Sequence, residues 1–120
     1  MKRDLDLCRA IMLRMEAHDH GFAPRDMTFD GYSDEAVGYH CLLLVQARLI
    51  EGTKDDGDTS ESPTAIPTAI TWLGHEFLSA AKDDTVWEKA KKHVIAPGAA
   101  VSFAVLLEWL KAEGLRRLGL

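Results

Sequence analysis

The string T-W-L-G-H-E-F-L at residues 71–78 holds the pair of side chains most suggestive of chemistry, His75 beside Glu76. On a helix, H-E-x-x-H sets two imidazoles one turn apart over a zinc ion, with the glutamate as general base. The position that would carry the second histidine is Ser79, so the metal reading fails and His75 is read as a structural hydrogen-bonder. Asp55, Asp56, Asp58 and Glu61 resemble a calcium loop, yet the glycine falls between Asp56 and Asp58 and no bidentate glutamate is correctly spaced. A solvated acidic loop is the expectation there. His18 and His20 lack a third ligand nearby in sequence. Cys8 and Cys41 stand in apolar helical patterns with no C-x-x-C spacing, and are expected as buried free thiols in a reducing compartment. There is no Gly-rich phosphate loop and no G-x-S-x-G, so no enzymatic activity, catalytic residue, metal, cofactor or small-molecule substrate is expected.

Charge limits the partners. The net charge is −5 over 120 residues, and it is unevenly spread. Residues 19–64 carry three bases against ten acids, while residues 82–120 carry seven bases against five acids. The middle of the chain would therefore repel phosphate and the ends would not. No apolar run approaches the ~18 residues of a membrane span. The opening M-K-R-D-L-D-L has acids where a signal peptide needs an apolar stretch. A bacterial-type cytoplasmic protein is the expectation.

The elements that must position these groups follow from periodicity. Residues 4–17 predict a helix capped by Asp4 or Asp6, with Leu5, Cys8, Ile11, Met12 and Met15 as its apolar stripe and Gly21 as the place for positive φ. Residues 27–29 could form a short strand, and Tyr32 or Phe29 a hydrophobic staple. The central stretch is residues 32–51. Ser33 caps a helix whose buried stripe is Val37, Cys41, Leu44 and Val45, and Leu42 falls off that stripe toward solvent. Leu49-Ile50 opens a strand, residues 65–71 return, and Trp72, Phe77 and Leu78 bury the next helix beneath the hairpin, each contributing on the order of 1.5–3 kcal/mol. Thr85 with Glu88 reads as a capping box, residues 96–98 as a helix stop, and a last helix starts near Ser102 and ends near Gly114.

Several strings together are similar to a family of small uncharacterised bacterial and phage proteins, a domain of unknown function. They are Met1-Lys2-Arg3-Asp4, Gly31-Tyr32-Ser33, Tyr39-His40, Leu49-Ile50-Glu51-Gly52, the T-W-L-G-H-E-F-L string and Asp83-Asp84-Thr85-Val86-Trp87. The resemblance implies a winged-helix-like fold and an association with mobile elements such as prophages, and it brings no catalytic residues. Where that family has a glycine at the end of the central helix, this chain has Arg48. A left-handed residue 48 would cost on the order of 1 kcal/mol with arginine in place of glycine. The other alternative is that the helix extends by one residue.

The expected architecture is therefore α+β and mostly helical, an abbreviated winged helix-turn-helix with a two- or three-stranded wing. It would occupy residues 1–82. Residues 83–120 would add two C-terminal helices, packed on it or forming an oligomer interface through Val105, Leu106, Trp109 and Leu110. The first functional reading is a protein-interaction or adaptor module, in which a protein partner or self-association as a homodimer uses exposed Leu42, the acidic loop and the last helix. The alternative is a small DNA-binding regulator. Ser33, Tyr39, His40, Leu42, Gln46 and Arg48 would then form the recognition surface, with Arg3, Arg9, Arg14 and Lys54 on phosphates. That inventory is thin: the chain has no Asn and a single Gln, Gln46, for reading adenine.

Overall fold

In the computed structural model, which describes residues 1–55, 61–95 and 102–120, Asp4 starts α1 (Leu5–Glu16) by accepting a hydrogen bond from the Leu7 N–H at 3.1 Å. The buried face of α1 is Leu7, Cys8, Ile11, Met12 and Met15; Leu5, expected in that stripe, is only half-buried. The connection to the next helix turns at Gly31 (φ +84°), and Gly21 keeps ordinary φ. Ser33 then accepts from the Ala36 N–H and caps α2 (Asp34–Gln46).

Helix α2 leads directly into an antiparallel ribbon of β1 (Ile50–Asp55) and β2 (Thr64–Ile70). The junction is a Schellman turn, in which the Leu49 N–H donates to the Leu44 carbonyl and the Arg48 N–H to that of Val45, both at 3.0 Å. This geometry puts its penultimate residue in the left-handed region, and Arg48 sits there at φ 63°. Of the two alternatives, the left-handed one holds. The ribbon has a bulge between Glu51 and Gly52 that leaves Thr68 without a partner on β1. Pro67, which has no N–H to give, lies opposite Gly52 at that bulge. Thr68 turns its carbonyl to the Ala23 N–H at 2.8 Å. That bond is where the 17–33 connection meets the ribbon, and residues 27–29 form no strand, so the sheet has two strands among the described residues. The acidic loop tip at 56–60 lies outside the described residues.

Thr71 ends the ribbon and starts α3 (Trp72–Ala81). Its N–H donates to the Leu49 carbonyl at 3.1 Å, and its hydroxyl lies 2.7 Å from the Arg48 carbonyl and 3.0 Å from that of Leu49. The same oxygen accepts from the Gly74 N–H at 3.0 Å, which is the work of a helix cap. Gly74 has no room for a side chain. A Cβ there would overlap the Leu49 carbonyl oxygen and come within 2.7 Å of Ile70 Cγ2.

The chain divides into two compact units, Met1–His75 and Glu76–Leu120. That boundary lies within α3, ahead of the division expected after residue 82, so the first turn of α3 goes with the ribbon and its remainder with the later helices. In the second unit Asp83, rather than Thr85, caps α4 (Asp84–Ala90) through the Val86 N–H at 3.0 Å. A π-helical turn, Lys91–Ile95, continues it; the stop expected at 96–98 lies outside the described residues. Ser102 caps α5 (Phe103–Arg117), which runs through Gly114 and stops in a second Schellman turn with Gly119 at φ 80°. Phe77 meets Trp87 edge-on at 6.2 Å and Phe103 at 5.3 Å, and Leu106, Leu107 and Leu110 are buried. Glu113 is buried on α5, where Lys89 (3.0 Å) and Arg116 (2.6 Å) grip its two oxygens.

These observations fix the expected effects of substitutions. Gly74→Ala should destabilise by more than about 2 kcal/mol, since the backbone it meets cannot easily retreat. Arg48→Gly should instead raise the urea midpoint by a net gain of about 0.5 kcal/mol, left-handed relief outweighing the entropy of glycine. The hydrogen bond from Lys89, helped by Arg116, holds the Glu113 carboxyl below the usual carboxylate range. A depressed folded pKa contributes stability above the unfolded value of about 4.3 and loses it as pH falls. Melting curves across pH 2–7 should therefore show Glu113→Gln less stable than the native chain at neutrality, with the gap closing in acid.

Candidate interaction surface

Whether α2 can read anything depends on which of its sides are covered. Val37, His40, Cys41 and Leu44 recur at helical spacing on one buried side, where His40 is tied to Asp4 at the start of α1. About a third of a turn round the helix lie Gly38, Leu42 and Val45, on the side facing the ribbon. A Cβ at Gly38 would come within 2.8 Å of Thr64 Cγ2 on β2, and Val45 Cγ2 lies 3.0 Å from where a Cβ of Gly52 would stand. The helix is thus packed on two sides. One stripe is left, with Glu35, Tyr39 and Leu43 half-buried and Gln46 exposed, and Glu35 accepts from the Ser62 hydroxyl at 2.6 Å.

This corrects two residues of the expected surface. Leu42 is 6% exposed and belongs to the core, because the ribbon supplies a second wall that a single-stripe reading ignores. His40 is 2% exposed and faces the other way. Its Nε2 accepts the Asp4 backbone N–H at 2.9 Å, which leaves Nδ1 to carry the hydrogen and donate to the Ala36 carbonyl at 2.8 Å. Asp4 completes the tie by accepting from the Tyr32 hydroxyl at 2.7 Å. The M-K-R-D, G-Y-S and Y-H strings therefore meet at one place, where they fasten the start of α1 to α2. Ser33 is spent on capping; Gln46 and Arg48 stay exposed.

The basic residues expected on phosphate are partly committed. The Arg14 guanidinium sits 4.7 Å above the Phe29 ring, and Arg3, Arg9 and Lys54 each have an interaction within the chain. On α5, Leu106 and Leu110 are core residues of their own unit and are not available to a partner; Val105 is 58% exposed and Trp109 half-buried. Burial pushes the Cys8 thiol up to about 12 and that of Cys41 up to about 11, so both stay protonated and neither is a nucleophile at neutral pH. Among the described residues no three His, Cys, Asp or Glu side chains gather at metal-binding separation, and no helix is long and apolar enough to cross a membrane. A groove of ≈ 760 Å³ lies in the second unit with Val86, Leu110 and Leu115 in its lining, between the Glu76–Lys111 and Asp83–Arg117 ion pairs.

What the expected surface lacked is Trp72. It is 82% exposed at the first position of α3, not buried beneath the ribbon. Phe22, in the connection before α2, is 74% exposed. Thr71 binds the backbone of Arg48, so Trp72 emerges beside the left-handed turn that carries Arg48.

The Asp4 hydrogen bond raises the Tyr32 phenol to about 12. A raised phenol pKa adds stability that is fully present below the unfolded value of about 10 and is lost as pH rises toward 12. Tyr32→Phe should cost about 1 kcal/mol at pH 7, near the low end for a bond to a charged group because the ring is partly exposed. Denaturation at pH 7, 10 and 12 should show the gap between the two proteins shrinking at the alkaline end.

A family model described as "Hypothetical protein (DUF2513)" matches residues 2–100, which takes in α1 through α4 and stops short of α5. An "Uncharacterized protein" of Haemophilus influenzae (strain ATCC 51907 / DSM 11121 / KW20 / Rd) is 39% identical over 93 residues, covering 76% of each chain. No solved structure matches the chain. With a match over most of its length and a relative at this identity, the chain belongs to the DUF2513 family.

Proposed function

We propose that this chain is a non-enzymatic protein-interaction or adaptor module of the cytoplasm, built on a winged-helix-like arrangement in which the ribbon after α2 is the wing. The order α1, α2, β1, β2 supports that architecture, with one helix fewer ahead of α2 than a full helix-turn-helix has. The observation that carries the functional reading is Trp72. A tryptophan 82% exposed on a rigid helix start, in a unit whose central helix is packed on two sides, is what a protein contact uses.

The DNA-binding alternative rests on Tyr39, Gln46 and Arg48, which remain at the surface. Against it, α2 opens with Asp34 and Glu35, and the Met1–His75 unit carries seven Lys and Arg against thirteen Asp and Glu, a net −6. Phosphate contact supplies most non-specific affinity, and a surface of this sign opposes it.

Two measurements separate the readings. Random-sequence duplex DNA at ~50 mM salt, where electrostatic binding is strongest, should not be shifted by the protein. A shift that weakens steeply with added salt would establish the DNA reading instead. In cells expressing the chain, a photo-crosslinking amino acid at position 72 should yield a discrete protein adduct that the same amino acid at exposed Thr53 does not. Adducts equal at both positions, or at neither, would sink the interaction-module reading.

A further inference from the structure

We infer that Arg48 and Trp72 together form a contact that grips a protein segment presenting a carboxylate beside a large apolar side chain; this rests on the interaction-module reading and names its partner class. Three independent observations meet at these residues. The first is backbone: Arg48 is the only non-glycine with positive φ among the described residues, at a position of a Schellman turn where glycine is strongly favoured. The chain holds a side chain where its absence would be easier.

The second is chemistry. The Arg48 guanidinium is exposed and has no hydrogen-bond or ion-pair partner among the described residues, although acids outnumber bases nearly two to one in its unit. A lone, planar donor fork matches one carboxylate. The third is the neighbour. Thr71 binds the Arg48 carbonyl at 2.7 Å, so the next residue, Trp72, stands beside the guanidinium's own turn with its ring in water. Gly74, closed against Leu49, makes this junction rigid, so little order has to be gained on binding.

Charge decides which partner. A strand of nucleic acid could stack on Trp72 and meet Arg48 through one phosphate, but its further phosphates would face a unit of net −6. A peptide needs only one acid, and the rest of its contact is apolar. The flanking surface suits that: Leu73 is 36% exposed, and Gln46 is exposed just before Arg48.

The test is selection of a displayed random dodecapeptide library on the full chain, followed by anisotropy titration of the enriched peptides and of a labelled oligo(dT). The expected result is a consensus with Asp or Glu next to an aromatic or branched aliphatic residue. Its affinity should fall about tenfold or more with Trp72→Ala and about three- to tenfold with Arg48→Gly. Arg48→Gly relieves the backbone while removing the guanidinium, so weaker binding by it cannot be blamed on unfolding. Enriched peptides that bind both variants as well as the native chain would overturn the inference and leave the module reading standing. No enriched peptide, with oligo(dT) bound through the same two residues, would overturn both. Dimerisation of the native chain that Trp72→Ala abolishes would overturn the inference in favour of a second copy as occupant.

Discussion

The peptide of Leu49 is where the first unit is held together, because each of its polar groups, and the space beside it, is used by a different element. Its N–H closes the turn that ends α2, and its carbonyl receives the Thr71 N–H where β2 gives way to α3. The α3 backbone passes so near that oxygen that only glycine fits at position 74. Four elements are thereby located by one residue's main chain and not by the shape of a side chain. Such a junction tolerates little change. A Cβ at position 74 or a lost hydroxyl at position 71 would leave the buried carbonyl displaced or short of a donor, and a buried polar group without a partner is costly.

A second constraint acts at the opposite end of α2. The Asp4 backbone and carboxylate, the His40 ring and the Tyr32 hydroxyl form a chain of hydrogen bonds that sets the angle of α1 on α2. With α1 fixed on one side and the ribbon on the other, α2 becomes an interior strut. This has a functional consequence. What stays accessible is its narrow stripe through Tyr39 and Gln46 and the turn after it.

Local features are legible in the sequence where one residue and its near neighbours decide the outcome. Asp4 and Ser33 cap as their side-chain chemistry predicts, the helix stripes on α1 and α2 are largely right, and the hairpin returns within a residue of its expected bounds. The failures are non-local. Leu42 reads as exposed because a helical wheel drawn for one buried side cannot know of a second. Trp72 reads as buried because its size argues for burial, whereas its position on the rim is set by the Thr71 and Gly74 contacts with residues more than twenty positions away. Positive φ falls at Gly31 and Gly119 rather than at Gly21 or a stop at Gly114, since a glycine permits a turn without requiring one. Thr85 and Asp83 are both good caps by type, and the Val86 N–H goes to Asp83. At Arg48 the sequence poses the question and only the backbone answers it.

Two rules of local preference are broken at adjacent points on this surface. Glycine suits the turn after α2, yet arginine stands there; a core suits tryptophan, yet Trp72 stands in water. An exposed apolar side chain alone is common among folded chains, whereas a non-glycine with positive φ is not. Their backbones meet through Thr71, whose hydroxyl binds the Arg48 carbonyl and whose next residue is Trp72, so the bonds that hold the fold also bring the two departures to one junction. Natural chains keep local preference and global structure consistent except where a site demands otherwise. On that argument the α2–α3 junction, and not the outward stripe of α2, is where this surface departs furthest from what folding alone would choose.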